Sequence, residues 1–411
     1  MKLHFLCAAA LACLPCSAIA SEDFRPDGAT QILWKQVFAS PKDDWINHLL
    51  PLKDGNILAT GFVGRDDNDK NGDWRALAVK LTRDGRILWR QEYGAGSGVD
   101  AFWAASEGRD GRIRAAGFTN RMGAGGLDAY LALLNADGAL AREIAVGGPG
   151  YDRVTDIAPA QDGGYVAAGF TSVDGKGREL LLVKVNAKGE EVWRRTYGGP
   201  GDQTALYIKP LDDGGFAIAG GTDESGDGDV LAMRVDAKGN EVWRTVIGER
   251  GTLDVPHSLS IHKDGRIQLV GYTENWGPRD HDLLAITLTA DGAVLRHEVF
   301  GGPSDDRAMV ANIDAEDRTW MTGYSKSAGA GGYDIFIASL GRDGGFENRF
   351  STIGGLKDDN GTIILPLNDG TLLVGAYSAN LGEGGTDAVV MRVRAPDWSA
   401  PPENFVLRKI R

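Results

Sequence analysis

The residues from 148 to 199 read Gly148-Pro149-Gly150-Tyr151-Asp152, an apolar run to Pro159, then Asp162-Gly163-Gly164-Tyr165-Val166-Ala167-Ala168-Gly169-Phe170-Thr171. After a Gly-rich loop come Leu180-Leu181-Leu182-Val183-Lys184-Val185 and Lys188-Gly189-Glu190-Glu191-Val192-Trp193-Arg194-Arg195-Thr196-Tyr197-Gly198-Gly199. Four short β-rich runs are bounded here by Gly, Asp and Pro, and none has the 3.6-residue period of a helix. The next fifty residues repeat the unit almost word for word. Outward in both directions the Asp that marks the first turn recurs at Asp54, Asp110, Asp162, Asp213, Asp264, Asp317 and Asp369. A strand glycine follows it at Gly61, Gly117, Gly169, Gly220, Gly271, Gly323 and Gly375, giving spacings of 51 to 56 residues.

Four antiparallel strands in a unit of this length are the signature of a propeller blade, and seven units fall within the roughly 4–8 blades such rings contain. The sequence therefore predicts an all-β, seven-bladed β-propeller of four-stranded antiparallel blades, with strands a to d running outward from the axis. Apolar runs such as Val166-Ala167-Ala168 suit inner strands covered on both faces. The charged, alternating run Glu191 to Tyr197 suits an outer edge. The seventh unit stops after Val393 and lacks a fourth strand, while Ile32-Leu33-Trp34-Lys35-Gln36-Val37-Phe38 matches the other d strands. An N-terminal strand over 31–38 is expected to close the ring. The organisation read from the sequence is a signal peptide over 1–20, an N-terminal tail over 21–30, the propeller over 31–394 and a C-terminal tail over 395–411.

The leader has Lys2, an apolar segment from Leu6 to Leu14 and Ala18-Ile19-Ala20 as a small-x-small cleavage site, so export to the periplasm or beyond is expected. All three cysteines, Cys7, Cys13 and Cys16, lie in it. A lipid anchor would need a better lipobox than Ala10-Leu11-Ala12 before Cys13 or Pro15 before Cys16. No stretch reaches the roughly 20 apolar residues of a membrane span. A net charge of -13 spread along the chain offers no basic stripe, which argues against nucleic acid as a partner.

The repeat resembles that of bacterial secreted β-propeller proteins, of the type Asp-Gly-Gly-Tyr…Trp…Tyr-Gly-Gly, over about residues 31–394. Its segment Asn186-Ala187-Lys188-Gly189-Glu190-Glu191-Val192-Trp193-Arg194 is also distantly similar to the repeat of quinoprotein-type propellers. The Trp is replaced by Arg142, Arg296 and Asn348 in blades 2, 5 and 6, and no vicinal cysteine pair marks a quinone site. A sialidase Asp-box fails on register, because Gly85 stands one place early before Trp89.

The c–d turns are tight Asp-Gly or Lys-Gly hairpins and read, with the a–b turns on the same face, as scaffold. The opposite face carries the d–a connections and the variable b–c loops, where binding is expected. Each d–a connection ends in an Asp (Asp43, Asp100, Asp152, Asp202, Asp254, Asp305, Asp358), and a second acid precedes most c strands. Their repetition favours turn-stabilising hydrogen bonds over a cation-attracting ring. The candidate ligand contacts are Trp276 and Arg279 in the blade 5 b–c loop, with Trp45 and Trp103 as rim candidates.

The blade 1 loop Asp67-x-Asp69-x-Asn71-Gly72-Asp73 resembles a calcium loop, but Ala78 stands where a bidentate Glu would be. Calcium is the one cofactor this loop could hold, weakly, through Asp67, Asp69, Asn71 and Asp73; none is required by the fold. No histidine pairing, nucleophile elbow, phosphate loop or dinucleotide fingerprint is present, and no catalytic residue is assigned. The sequence favours an exported, non-catalytic module that binds a protein or glycan. The alternative is a propeller-fold enzyme acting on glycans or with a quinone cofactor.

Overall fold

A computed structural model describes residues 24–27, 30–38, 44–64, 73–94, 98–173, 177–224, 226, 228–248, 251–274, 281–381, 386–394 and 401–410. Seven antiparallel sheets follow one another around a ring, and there is no helix among these residues. Blade 3 is typical: strand a is Asp152–Pro159, b Tyr165–Val173, c Gly177–Val185 and d Glu191–Tyr197, hydrogen-bonded in that order. The core lies between blades rather than inside any one. Leu180 and Leu182 of blade 3, for instance, pack with Ile208, Phe216 and Leu231 of blade 4. Truncating a side chain as buried as Leu182 to Ala would cost about 2–5 kcal/mol.

Every strand a is bulged at the same place, as at Ile46/His48, Val154/Asp156 and Ala308/Val310. The strand glycine explains itself there. In blades 1 to 6 a Cβ on it would collide with the carbonyl oxygen of the strand a residue just before the bulge, such as Trp45 or Arg153. Blade 7 departs from this: Ala376 on strand b faces Gly361 on strand a, so Gly375 sits one place off the register expected for it, and a Cβ on Gly361 would collide with Thr322 and Gly323 of blade 6. Blade 6 also departs. Asp317 occupies the place that Gly holds in the other first turns, with φ at 66°, and Glu316 takes the place of the turn Asp.

The ring closes as expected: Gln31–Phe38 pairs with Asp387–Arg394 as the outer strand of blade 7. The d strand tryptophans then dock blade to blade. Trp34, Trp89 and Trp243 donate their indole N–H to Arg83, Ala136 and Ala290 of the next c–d hairpin at 3.0, 3.3 and 3.2 Å, lying against its glycine. In blades 2 and 5, where Trp is absent, arginine takes the place. Arg296 bonds the carbonyl and carboxylate of Asp343 at 3.2 and 2.7 Å, and Arg142 lies against Gly189.

The terminal segments are more than tails. Arg25–Pro26 adds to the edge of blade 6, and Val406–Lys409 adds to the edge of blade 5, with Phe405 against Phe300 and Phe350. The C-terminal strand thus never competes for blade 7. No helix among the described residues is long and apolar enough to cross a membrane.

Candidate functional site

All seven a strands line an axial cavity of about 700 Å³. The bulge determines what enters it: an extra residue breaks the alternation, so adjacent side chains such as Asn47 and His48, Thr155 and Asp156, or Leu206 and Tyr207 both reach the cavity wall. Asp156 is fixed by its blade and the next. Its two oxygens accept the backbone N–H groups of Ile157 at 2.8 Å and Ile208 at 2.9 Å, and Lys209 Nζ lies 3.9 Å away. His48 Nδ1 has no hydrogen-bond partner. Burial pulls the His48 pKa down to about 4, against the charge of Asp156, so the imidazole is neutral at pH 7. Burial, and then Asp156, hold the Tyr207 phenol protonated.

Towards the face of the b–c and d–a loops the wall becomes aromatic. The residue after the strand glycine is Phe62, Phe118, Phe170, Tyr272 or Tyr324, with Tyr377 at the corresponding place in blade 7; only blade 4 breaks the ring, with Gly221. Trp45 stacks between Tyr377 and Phe62 at 4.7 and 5.8 Å, Phe62 on Trp74 at 4.5 Å, and Trp103 against Phe118 at 5.6 Å. Trp45, Trp103, Tyr151 and Phe170 face the cavity.

Arg153 lies among them, its guanidinium 4.4 Å from the Trp103 ring centre, 5.2 Å from Phe118 and 6.0 Å from Phe170. No carboxylate among the described residues pairs with it, and its Nε has no hydrogen bond. Burial lowers its pKa, yet an arginine stays charged. Opposite, in blades 5 and 6, Arg307 is fully engaged. It donates to both oxygens of Asp305 at 2.8 and 3.0 Å and to His281 Nδ1 at 3.0 Å, with Tyr272 beneath it.

Of the residues singled out from the sequence, Trp45 and Trp103 lie on the cavity wall, packed against neighbouring rings at the same time. Trp276 and Arg279 fall outside the described residues, as do Asp67, Asp69 and Asn71. Asp73 lies 3.7 Å from the Arg75 guanidinium. Among the described residues no three histidine, cysteine or acidic side chains gather into a metal centre. The sequence reading missed Arg153, His48, Asp156 and Tyr207. The aromatic after each strand glycine was a visible signal; the convergence of blades 1, 3 and 4 on one cavity was not.

The chain matches no family model and no curated protein. Solved structures match over nearly the whole chain. The polysaccharide lyase Uly1 superposes with a TM-score of 0.50 at 10% identity, over 88% of this chain and 91% of its own. A protein of unknown function from Dyadobacter fermentans gives 0.49 at 13% identity, over 89% and 99%. An apocarotenoid oxygenase from Synechocystis also gives 0.49 at 13%, over 92% and 96%. At 10% identity the likeness to the lyase is one of fold. That fold is the seven-bladed β-propeller.

Proposed function

We propose that this is an exported propeller that binds an acidic glycan at the mouth of its axial cavity, on the face of the b–c and d–a loops. The observation that carries the reading is Arg153, a buried-side guanidinium with aromatic rings around it and no carboxylate partner, facing a cavity large enough for a few sugar units. Aromatic faces suit the C–H faces of sugar rings, and a guanidinium suits a uronate carboxylate through two parallel hydrogen bonds. The polysaccharide lyase that shares the fold is named for acting on a polysaccharide. The reading for this chain rests on its own side chains.

Titration of the protein with oligogalacturonate, followed by tryptophan fluorescence, tests it. Binding is expected for the acidic oligomer and not for a neutral cello-oligosaccharide, weakening as salt is raised, and weakened about 30-fold in Arg153→Met. No response to either, or equal binding by the variant, overturns it.

A second reading, a glycan-cleaving enzyme, is favoured by one observation: neutral His48 and protonated Tyr207 lie on the same cavity wall with Asp156 and Lys209. New reducing ends formed by the parent protein and abolished in His48→Gln would decide for it.

A further inference from the structure

At each junction between blades, the acidic residue that opens a strand c meets the residue that opens the next strand a. Between blades 2 and 3 these are Asp128 and Asp152, 1% and 0% exposed. The turn role expected for such residues is real but uses only half of each carboxylate. Oδ2 of Asp152 accepts the Gly148 N–H at 2.8 Å and Oδ2 of Asp128 that of Gly125 at 3.4 Å, while Oδ1 of each has no hydrogen-bond partner. The two groups converge. Asp128 Oδ1 and Asp152 Oδ2 both lie within 2.6 Å of the point where a Cβ on Gly147 would stand, which is why a side chain has no room there.

Blades 6 and 7 repeat the arrangement, with Asp334 Oδ1 and Asp359 Oδ2 both within 3.0 Å of the corresponding point on Gly354. Asp334 accepts the Ala330 and Gly331 N–H groups on Oδ2, and its Oδ1 has no partner.

Two buried carboxylates facing each other repel unless a positive charge or a proton intervenes. Other junctions show the chain supplying the remedy itself. Between blades 1 and 2, Arg121 Nε stands 3.4 Å from Asp100. Between blades 3 and 4, neutral Gln203 takes the place of the second acid opposite Glu179. Between blades 5 and 6 burial and Asp306 outweigh the charge of Arg408, on the C-terminal strand, and lift the Asp282 pKa to about 7, so a proton takes that part.

Between blades 2 and 3 and between blades 6 and 7 no cationic side chain among the described residues stands against the pair; at the latter Asn380 Nδ2 and the Gly355 N–H donate to Asp359 Oδ2 at 2.7 and 2.8 Å. Asp128, Asp152, Asp334 and Asp359 form no ion pair with a Lys or Arg among the described residues. Arg194 acts on Asp152 only from a distance, since its guanidinium is bound to both Glu191 oxygens. The charges acting on Asp334 include two more carboxylates, Asp27 and Asp358. These junctions also share a loop sequence: Gly-Ala-Gly-Gly-x-Asp occurs in the chain at 123–128 and 329–334 only.

We propose that a hard divalent cation of the calcium kind sits between Asp128 and Asp152 and between Asp334 and Asp359, tying blade 2 to blade 3 and blade 6 to blade 7. Oxygens that converge within about 2.3–2.6 Å of one centre are calcium's donors, and peptide carbonyls and water commonly complete its shell of roughly 6–8. Two carboxylates per site give a modest charge count, so an affinity of roughly 10⁻⁴–10⁻³ M is expected. These sites are distinct from the blade 1 loop and independent of the glycan reading.

The test uses the full chain carrying Asp67→Ala and Asp69→Ala, so that the blade 1 loop contributes nothing, stripped with EDTA. Flow dialysis with calcium chloride should find two bound ions, and 5 mM calcium should raise the melting temperature by roughly 2–4 °C. Asp128→Asn together with Asp334→Asn should abolish both, and the doubly substituted protein should melt above the calcium-free parent because the amide removes the repulsion. No bound calcium in the parent overturns the proposal without reference to any variant. Retention of both ions after the two substitutions overturns it equally.

Discussion

Arg153 and Arg307 hold the same register position on strand a of blades 3 and 6, one opposite Phe170 and the other opposite Tyr324. Both lie over aromatic rings. Arg307 has in addition Asp305, His281 and, through Asp305, the Tyr333 hydroxyl at 3.0 Å, so its charge is spent within the protein. Arg153 has rings but no acid. A repeated scaffold thus fixes where a side chain stands, and the neighbours contributed by one blade decide whether it is structural or available. On this comparison the blade 5 and 6 side of the mouth is a brace and the blade 1 to 3 side is where the proposed glycan would bind.

The comparison breaks most sharply under substitution. Arg307→Met should cost about 3 kcal/mol of stability, because Asp305, 10% exposed, is left without its countercharge. Arg153→Met should leave the melting temperature within a degree or two of the parent, or raise it, while weakening oligogalacturonate binding by about 30-fold, or ~2 kcal/mol. Urea melts and fluorescence titrations read the two effects separately, and equal losses of stability in both variants would erase the distinction.

Acid should sharpen it. Burial, and then the charge of Arg307, pull the His257 pKa to about 4, below its unfolded value near 6.5. The unfolded chain takes up that proton first, so this contribution is fully present above pH 6.5 and is lost as pH falls towards 4. At pH 5 the loss is about 2 kcal/mol. His257→Gln should therefore narrow the gap between melting temperatures at pH 7 and pH 5; an unchanged gap would show that this histidine is not held neutral.

The smallest effect concerns the rings. Trp103→Ala should weaken glycan binding by about 1 kcal/mol, roughly fivefold, whereas Trp193→Ala, on an outer strand at the hairpin face, should leave affinity unchanged. A reversal of these two would move the binding surface to the other face.

Much of this was legible in the repeat. The period, the four β-rich runs and the turn residues gave the number of blades and strands, because turn chemistry and alternation are local. The displaced fourth strand was legible too, since residues 31–38 carry the d strand pattern of Trp34 and its neighbours. Of the junction acids, Asp128, Asp152 and Asp334 were visible as repeated residues that read as turn acceptors, while the repeat pointed to Asp358 in place of Asp359, which opens the strand. The turn role is half of their geometry: the unpartnered Oδ1 atoms of Asp128 and Asp334 belong to a pairing with the carboxylate of the next blade that no single repeat contains.

The sequence by itself determined the seven blades, their strand order and the N-terminal closure, since each follows from patterns within about fifty residues. Only the tertiary structure decided that Val406–Lys409 covers blade 5, that Arg142 and Arg296 take the docking place of Trp, and that Ala376 faces Gly361 in blade 7. It also decided that His48, Asp156 and Tyr207 share one cavity and that Arg153 lacks the acid that Arg307 has. The physical reason is the same throughout: burial, charge compensation and convergence depend on residues brought together by ring closure, and their separation along the chain carries no trace of it.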